Sequence, residues 1–217
     1  MPQLIASIVL IALAAAAGWF AMLKLRSGRY RRLVALAKAG DAAGFEKCLS
    51  TNFSRMLVSP FAKGKLRLEL AAAQGRRKEV REAVNEAMKL KLTDSQRSQI
   101  ATRAFTVLAK LGDRNGCKRL LEEIEGTMPH AAARYRCYFD TVMCGLGAHA
   151  GSLEQSLSEL EGTPARKTRG HTEYLLSLAY RANGDGDRAD AMRARAARDL
   201  NVNVDELEGA IDVSSCL

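Results

Sequence analysis

The residues of this chain that could do chemistry are three histidines, five cysteines and several short runs of charge. His130, His149 and His171 are dispersed, and none has a second ligand three or four positions away, as a metal site on one helix face would require. They read as surface or turn residues. Cys48, Cys117, Cys137, Cys144 and Cys216 are an odd set without a C-x-x-C pair, which suggests a reducing compartment. Cys137 and Cys144 stand seven apart on one helical face. That spacing could hold a metal or a redox pair, but small apolar core residues are the better reading. Asp185-Gly186-Asp187 has the opening spacing of a calcium loop, yet the glycine at position six and the closing glutamate are missing. No glycine-rich phosphate loop, serine elbow or nucleophile–base motif is present. The expectation is a protein that is not an enzyme and needs neither metal nor cofactor.

Charge narrows the partners. The formal balance is +9, from 33 bases and 24 acids. Five of those bases (Lys24, Arg26, Arg29, Arg31 and Arg32) are clustered before the first acid, Asp41; without them the excess falls to +4. Arg76-Arg77-Lys78 opens a helix, where positive charge meets the positive end of the dipole, so a use such as an acidic partner or lipid headgroups is one reading. Arg166-Lys167-Arg169 and Arg193, Arg195 and Arg198 form two further groups. Aromatics are only 6% of the chain, too few for the stacking that single-stranded nucleic acid demands. Solvated faces balanced by acids are the better reading, and no nucleic-acid partner is expected.

The cluster of five bases closes an uncharged run from Leu4 to Leu23. About twenty apolar residues at roughly 1.5 Å each match a bilayer core of about 30 Å. Trp19 and Phe20 stand near the basic end, where aromatic rings favour the headgroup level. A cleaved signal peptide would want positive charge ahead of the run, and only Met1, Pro2 and Gln3 precede it. The reading is therefore a single-pass anchor at the cell membrane. The positive-inside rule puts the N-terminus outside and the rest in the cytoplasm. The membrane flank is Trp19 with Lys24, Arg26, Arg29, Arg31 and Arg32.

Beyond the anchor the chain is punctuated by small turns: Ala39-Gly40-Asp41, Gln74-Gly75-Arg76, Leu111-Gly112-Asp113, a looser stretch from Gly145 to Gly151, and Asn183-Gly184-Asp185. Taking Gly147 for the loose turn, the glycines recur at 35, 37, 35 and 37 residues. A helix commonly ends on a left-handed residue, which suits glycine, and the next helix wants an acidic or small N-cap. Apolar stripes of helical period flank the turns: Val80, Val84, Ala87 and Met88; Leu120, Leu121 and Ile124; Leu153, Leu157 and Leu160. The predicted pairs are 28–39 with 42–50, 57–73 with 76–91, 94–110 with 113–125, 129–145 with 151–161, and 166–182 with 185–200. Such pairs bury their apolar faces by stacking on neighbours.

In the fifth pair Leu176, Ser177, Tyr180, Gly184, Ala189 and Ala196 fall at the spacings of tetratricopeptide repeats, which the unit resembles. Arg193 stands where an aromatic is usual and Asn201 where proline often closes the unit. The third pair keeps Leu108, Gly112 and Cys117 but has Phe105 at the small position, and pairs one and four match poorly. The resemblance, spanning roughly residues 28–200, implies an all-α chain: an N-terminal transmembrane helix, then a right-handed tetratricopeptide-like α-solenoid of about five helical hairpins. The expected organisation is an anchor at 1–24, a basic segment at 25–33, repeats at 34–200 and an acidic cap and tail at 201–217. Asp205 to Ile211 would cap the array, and 213–217 would fray.

The resemblance further implies that the first helix of each pair lines a concave groove for a peptide or partner helix. Its register selects Lys65 and Glu69, Thr102 and Thr106, Arg134 and Thr141, and Tyr174 and Arg181. The asparagines of the family's chaperone-tail clamp are absent, so an acidic or mixed-charge segment of another, membrane-associated protein is the partner expected. The function implied is a membrane-anchored scaffold or adaptor. Membrane-surface or nucleic-acid binding through the basic patches is the alternative, and an enzyme with an unrecognised site the remoter one.

Overall fold

The computed structural model describes the backbone of residues 2–217 and the side chains of 16, 18–52, 54 and 56–217. Every regular element among the described residues is helical. The chain divides into two compact units, Met1–Lys91 and Leu92–Leu217.

The first unit holds α1 (Pro2–Lys38), α2 (Ala42–Leu49), α3 (Asn52–Leu57), α4 (Pro60–Gln74) and α5 (Arg77–Met88). Of the described side chains of α1, those in its last turns enter the core: Leu33 and Ala37 are buried with Phe45, Cys48, Leu49, Val58, Leu66 and Leu70. The short α3 was not anticipated; Thr51 caps it by accepting from Ser54 N, and α4 begins directly after it on Ser59-Pro60. Among the described residues no helix is long and apolar enough to cross a membrane. Most of the Leu4–Leu23 run has its side chains outside the described residues.

The second unit holds α6 (Asp94–Lys110), α7 (Arg114–Thr127), α8 (Pro129–Tyr138), a π-helical turn (Phe139–Met143), α9 (Ala150–Leu160), α10 (Arg166–Ala182), α11 (Gly186–Leu200), a 3₁₀ turn (Val204–Glu206), α12 (Leu207–Ala210) and α13 (Val213–Cys216). Its helices pack as successive pairs: α6 on α7, α9 on α10, and α10 most extensively on α11. The α6–α7 seam is Ile100, Ala101, Ala104, Phe105 and Leu108 against Cys117, Leu120, Leu121 and Ile124, all buried. Between α10 and α11, Ala179, Ala189 and Ala196 are wholly inaccessible. A Cβ on Gly170 would lie 2.8 Å from Leu200 Cγ, so this pair is joined through small residues.

The turns form as their residues dictate. Gly40, Gly75, Gly112 and Gly184 all take the left-handed conformation, with φ between 67° and 84°. After three of them the aspartate N–H reaches back to a helix carbonyl, Asp41 to Leu36, Asp113 to Leu108 and Asp185 to Tyr180, at 2.8–3.1 Å. The same aspartates then cap the following helix, accepting from Gly44, Gly116 and Arg188 N. One aspartate thus ends one helix and begins the next.

The fourth turn differs from expectation. Its left-handed glycine is Gly145, at φ 67°, and not Gly147. Gly147 instead packs against α10, where an added Cβ would stand 2.7 Å from the Ala179 carbonyl oxygen. The helix predicted through 145 ends in a π turn, with Cys144 N bonded to Phe139 O at 3.0 Å, and that insertion shifts the register past Phe139. The tail differs too. Val213–Cys216 does not fray: it forms α13, which packs on α6 and α10.

Candidate partner-binding face

Three stripes in the second unit converge where α13 lies. On α6 the stripe is Thr102, Thr106 and Lys110, four residues apart. Thr102 Oγ1 donates to Ser98 O at 2.8 Å and Thr106 Oγ1 to Thr102 O at 3.0 Å. These back-bonds satisfy both hydroxyls within the helix. Lys110 Nζ at the end of the stripe meets Asp212 Oδ1 at 2.9 Å. On α8 the stripe is Arg134, Cys137 and Tyr138, with Thr141 following in the π turn. Arg134 is exposed, Cys137 half-buried and Tyr138 buried. On α10 it is Tyr174, also buried.

Aromatic packing holds α8 against α6. The Phe105 ring meets Tyr135 edge-on at 5.2 Å between centroids and Tyr138 at 6.3 Å. The Tyr135 phenol is hydrogen-bonded to the Thr102 side chain. Phe105, at a position where the tetratricopeptide pattern has a small residue, is therefore the spacer that sets this face.

The electrostatics show which groups the tail meets. Burial pushes the Cys216 thiol up to about 12, with the Asp212 carboxylate and Cys137 adding to the effect. Burial also raises the Tyr138 hydroxyl, and Cys216 and Tyr174 contribute. Tyr174 rises for the same first reason, helped by Glu208. Asp212 moves the other way: hydrogen bonds from Ser214 and Lys110 hold its carboxyl well below the usual aspartate range.

Of the residues selected from the sequence, Tyr174 lies near Cys216; Thr102 and Thr106 stand on the α6 stripe that ends at Lys110, Arg134 is exposed on α8 one turn before Tyr138, and Thr141 is buried in the π turn. Arg181 does not turn toward it: its guanidinium pairs with Asp190 on α11 at 2.6 Å. Lys65 and Glu69 are half-buried on α4, in the first unit. In the membrane flank, Trp19 is 67% exposed, Lys24, Arg26, Arg31 and Arg32 are exposed, and Arg29 is half-buried with its Nη1 3.9 Å from Cys48 Sγ. Lys110, Tyr138, Asp212 and Cys216 were missed. The four-residue stripe through Thr102 and Thr106 already runs on to Lys110, but nothing in the sequence points the tail toward it.

The other charged groups mostly satisfy each other. Arg76 pairs with Glu79 at 2.9 Å, Arg193 with Glu208 at 3.3 Å and Arg195 with Glu173 at 2.9 Å. Arg166 and Arg169 both bond Asp199. A hollow of about 360 Å³ beside Arg169, Glu173, Arg195 and Asp199 is lined by this network, which clasps the start of α10 to the end of α11. His171 is also inside, 2% exposed, with Nδ1 2.7 Å from Lys167 O; it is not the surface residue the sequence suggested. His149 Nε2 lies 2.9 Å from Asp140 Oδ2, tying α9 to the π turn.

No protein-family model matches this chain, and neither does any curated protein or solved structure.

Proposed function

We propose that this protein is a membrane-anchored adaptor whose tetratricopeptide-like hairpins bind a short segment of another membrane-associated protein. The observation that carries the reading is the α6–α8–α10 face, where side chains from the first helices of successive pairs meet around a short peptide segment. Arg134 at its exposed margin suits an acidic or mixed-charge ligand.

The anchor is part of the same proposal. Near the basic flank, Trp19, Phe20, Met22, Leu23 and Leu25 are 46–67% exposed on α1. At about 100° per residue these positions cover more than half of the helix surface, and so wide an exposed apolar face suits a core or lipid. The reading places residues 4–23 in the cell membrane and the helical units on its cytoplasmic side. Tethering would raise the local concentration of the face toward other membrane proteins.

Two measurements test this. The full chain should stay with the membrane pellet through alkaline carbonate extraction, and deletion of 4–23 should release it; extraction of the intact chain would end the anchor reading. A photo-crosslinking residue at 134 should trap a defined adduct in cells, while one at the exposed Glu82 should not. Arg134→Glu should lower recovery of that adducted partner at least fivefold. Equal yields from 134 and 82 would refute the adaptor.

A further inference from the structure

We propose that residues 212–217 are an intramolecular ligand of the α6–α8–α10 face, and that the partner segment shares their build: an aspartate N-cap followed by small and branched apolar residues. This rests on the adaptor reading and deepens it by naming the ligand's chemistry.

Four observations support it. First, α13 spans only Val213–Cys216, far too short to be helical alone, so docking is what orders it. Second, its hold is slight and separable. Val213 is its one buried residue; Ser214 is exposed, and Ser215, Cys216 and Leu217 are half-buried. Third, the contact is specific at its polar end. Asp212 accepts from Ser214 N at 3.3 Å to start the helix and bonds Lys110 at 2.9 Å across the face. Fourth, there is a built-in leash. Leu207 is wholly buried and Glu208 pairs with Arg193 at 3.3 Å, whereas Gly209 and Ala210 are exposed. Residues 209–211 can therefore swing while Leu207 and Glu208 keep the start of α12 on α11.

A weak contact of this size persists because the tail is tethered, which keeps its effective concentration on the order of millimolar. A partner bearing the same motif would meet the same lysine and tyrosines and must displace the tail. The resting protein is thereby closed to chance ligands and opens only to a segment that binds better or is held nearby.

The test uses a fluorescent peptide of residues 205–217 carrying Cys216→Ser, titrated into the full chain and into a chain ending at Ile211. The peptide should bind the shortened chain at least tenfold more tightly than the full one. Lys110→Glu in the shortened chain should weaken binding, and a peptide with Asp212→Lys should restore it. Equal binding to both chains, or none to a shortened chain of normal helix content, overturns the proposal. A second readout covers a shortened chain that fails to fold. In the full chain, Asp212→Lys should speed iodoacetamide labelling of Cys216, read by mass spectrometry, about tenfold or more. Adding Lys110→Asp should slow it again, and an unchanged rate overturns the proposal. Equal cellular crosslinking from 134 with and without residues 212–217 would refute the tail as competitor and leave the adaptor standing. Peptide binding as described with no cellular crosslink would support the ligand chemistry and refute the adaptor alone.

Discussion

Glu173 is a carboxylate buried inside the fold. Its side chain is 2% exposed; Oε1 accepts from Arg195 Nε at 2.9 Å and Oε2 has no partner. Burial raises its carboxyl above the usual range, against the pull of Arg195. A carboxyl raised in the fold contributes stability in full below its unfolded value, near 4.5, and loses it as the pH climbs through the folded value. Thermal melts of wild type and Glu173→Gln should therefore differ most in favour of wild type near pH 4.5, and that advantage should shrink by pH 7. A growing advantage would show that the Arg195 pairing dominates. Gly147 offers a steric counterpart. A Cβ there meets the Ala179 carbonyl at 2.7 Å, so Gly147→Ala should cost about 1–3 kcal/mol by urea denaturation. Neither setting was legible in the sequence. Glu173 and His171 look like ordinary polar positions of an amphipathic helix, and only their packing partners place them inside.

At the scale of elements the helical hairpin was legible almost to the residue. The predicted 94–110 and 166–182 are α6 and α10, because their limits are set by caps and turns a few residues away. The Gly-Asp turn does this with backbone geometry alone. Gly112→Ala, at φ 67°, should destabilise the protein by about 1 kcal/mol. Gly126→Ala is the control: it lies within α7 with open space about its Cβ, and should stabilise by about 0.5 kcal/mol. Equal losses at both positions would show that flexibility, and not the left-handed turn, is what these glycines supply. The π turn escaped prediction because its cause is tertiary. Tyr138 and Phe139, buried where the turn begins, and Thr141, buried within it, are held by packing that a local pattern does not show.

On the scale of the whole molecule the two units have separate cores. Residues 92–217 contain complete pairs, capped turns and the segment lying on their own face. Expressed alone, they should unfold in one cooperative transition, with α13 still protecting Cys216 from alkylation. A molten, gradual melt would show that this unit needs the first 91 residues for its core. The docked tail should also be sensitive to salt. The Lys110–Asp212 pair is about half exposed, so 0.5 M salt should screen it and raise the labelling rate of Cys216.

The sequence alone determined the helical class, the α4–α5, α6–α7 and α10–α11 pairs and the turns at Gly40, Gly75, Gly112 and Gly184, since periodicity and capping act within a few residues of their cause. The predicted pairing of 129–145 with 151–161 gave way to α8 on α7 and α9 on α10. Only the tertiary structure decided that α13 lies on α6 and α10, which brings Cys216 near Tyr138 and Asp212 to Lys110. Those contacts join positions roughly eighty to a hundred residues apart, and a docking of that kind depends on packing across the fold, for which a local pattern carries no signal.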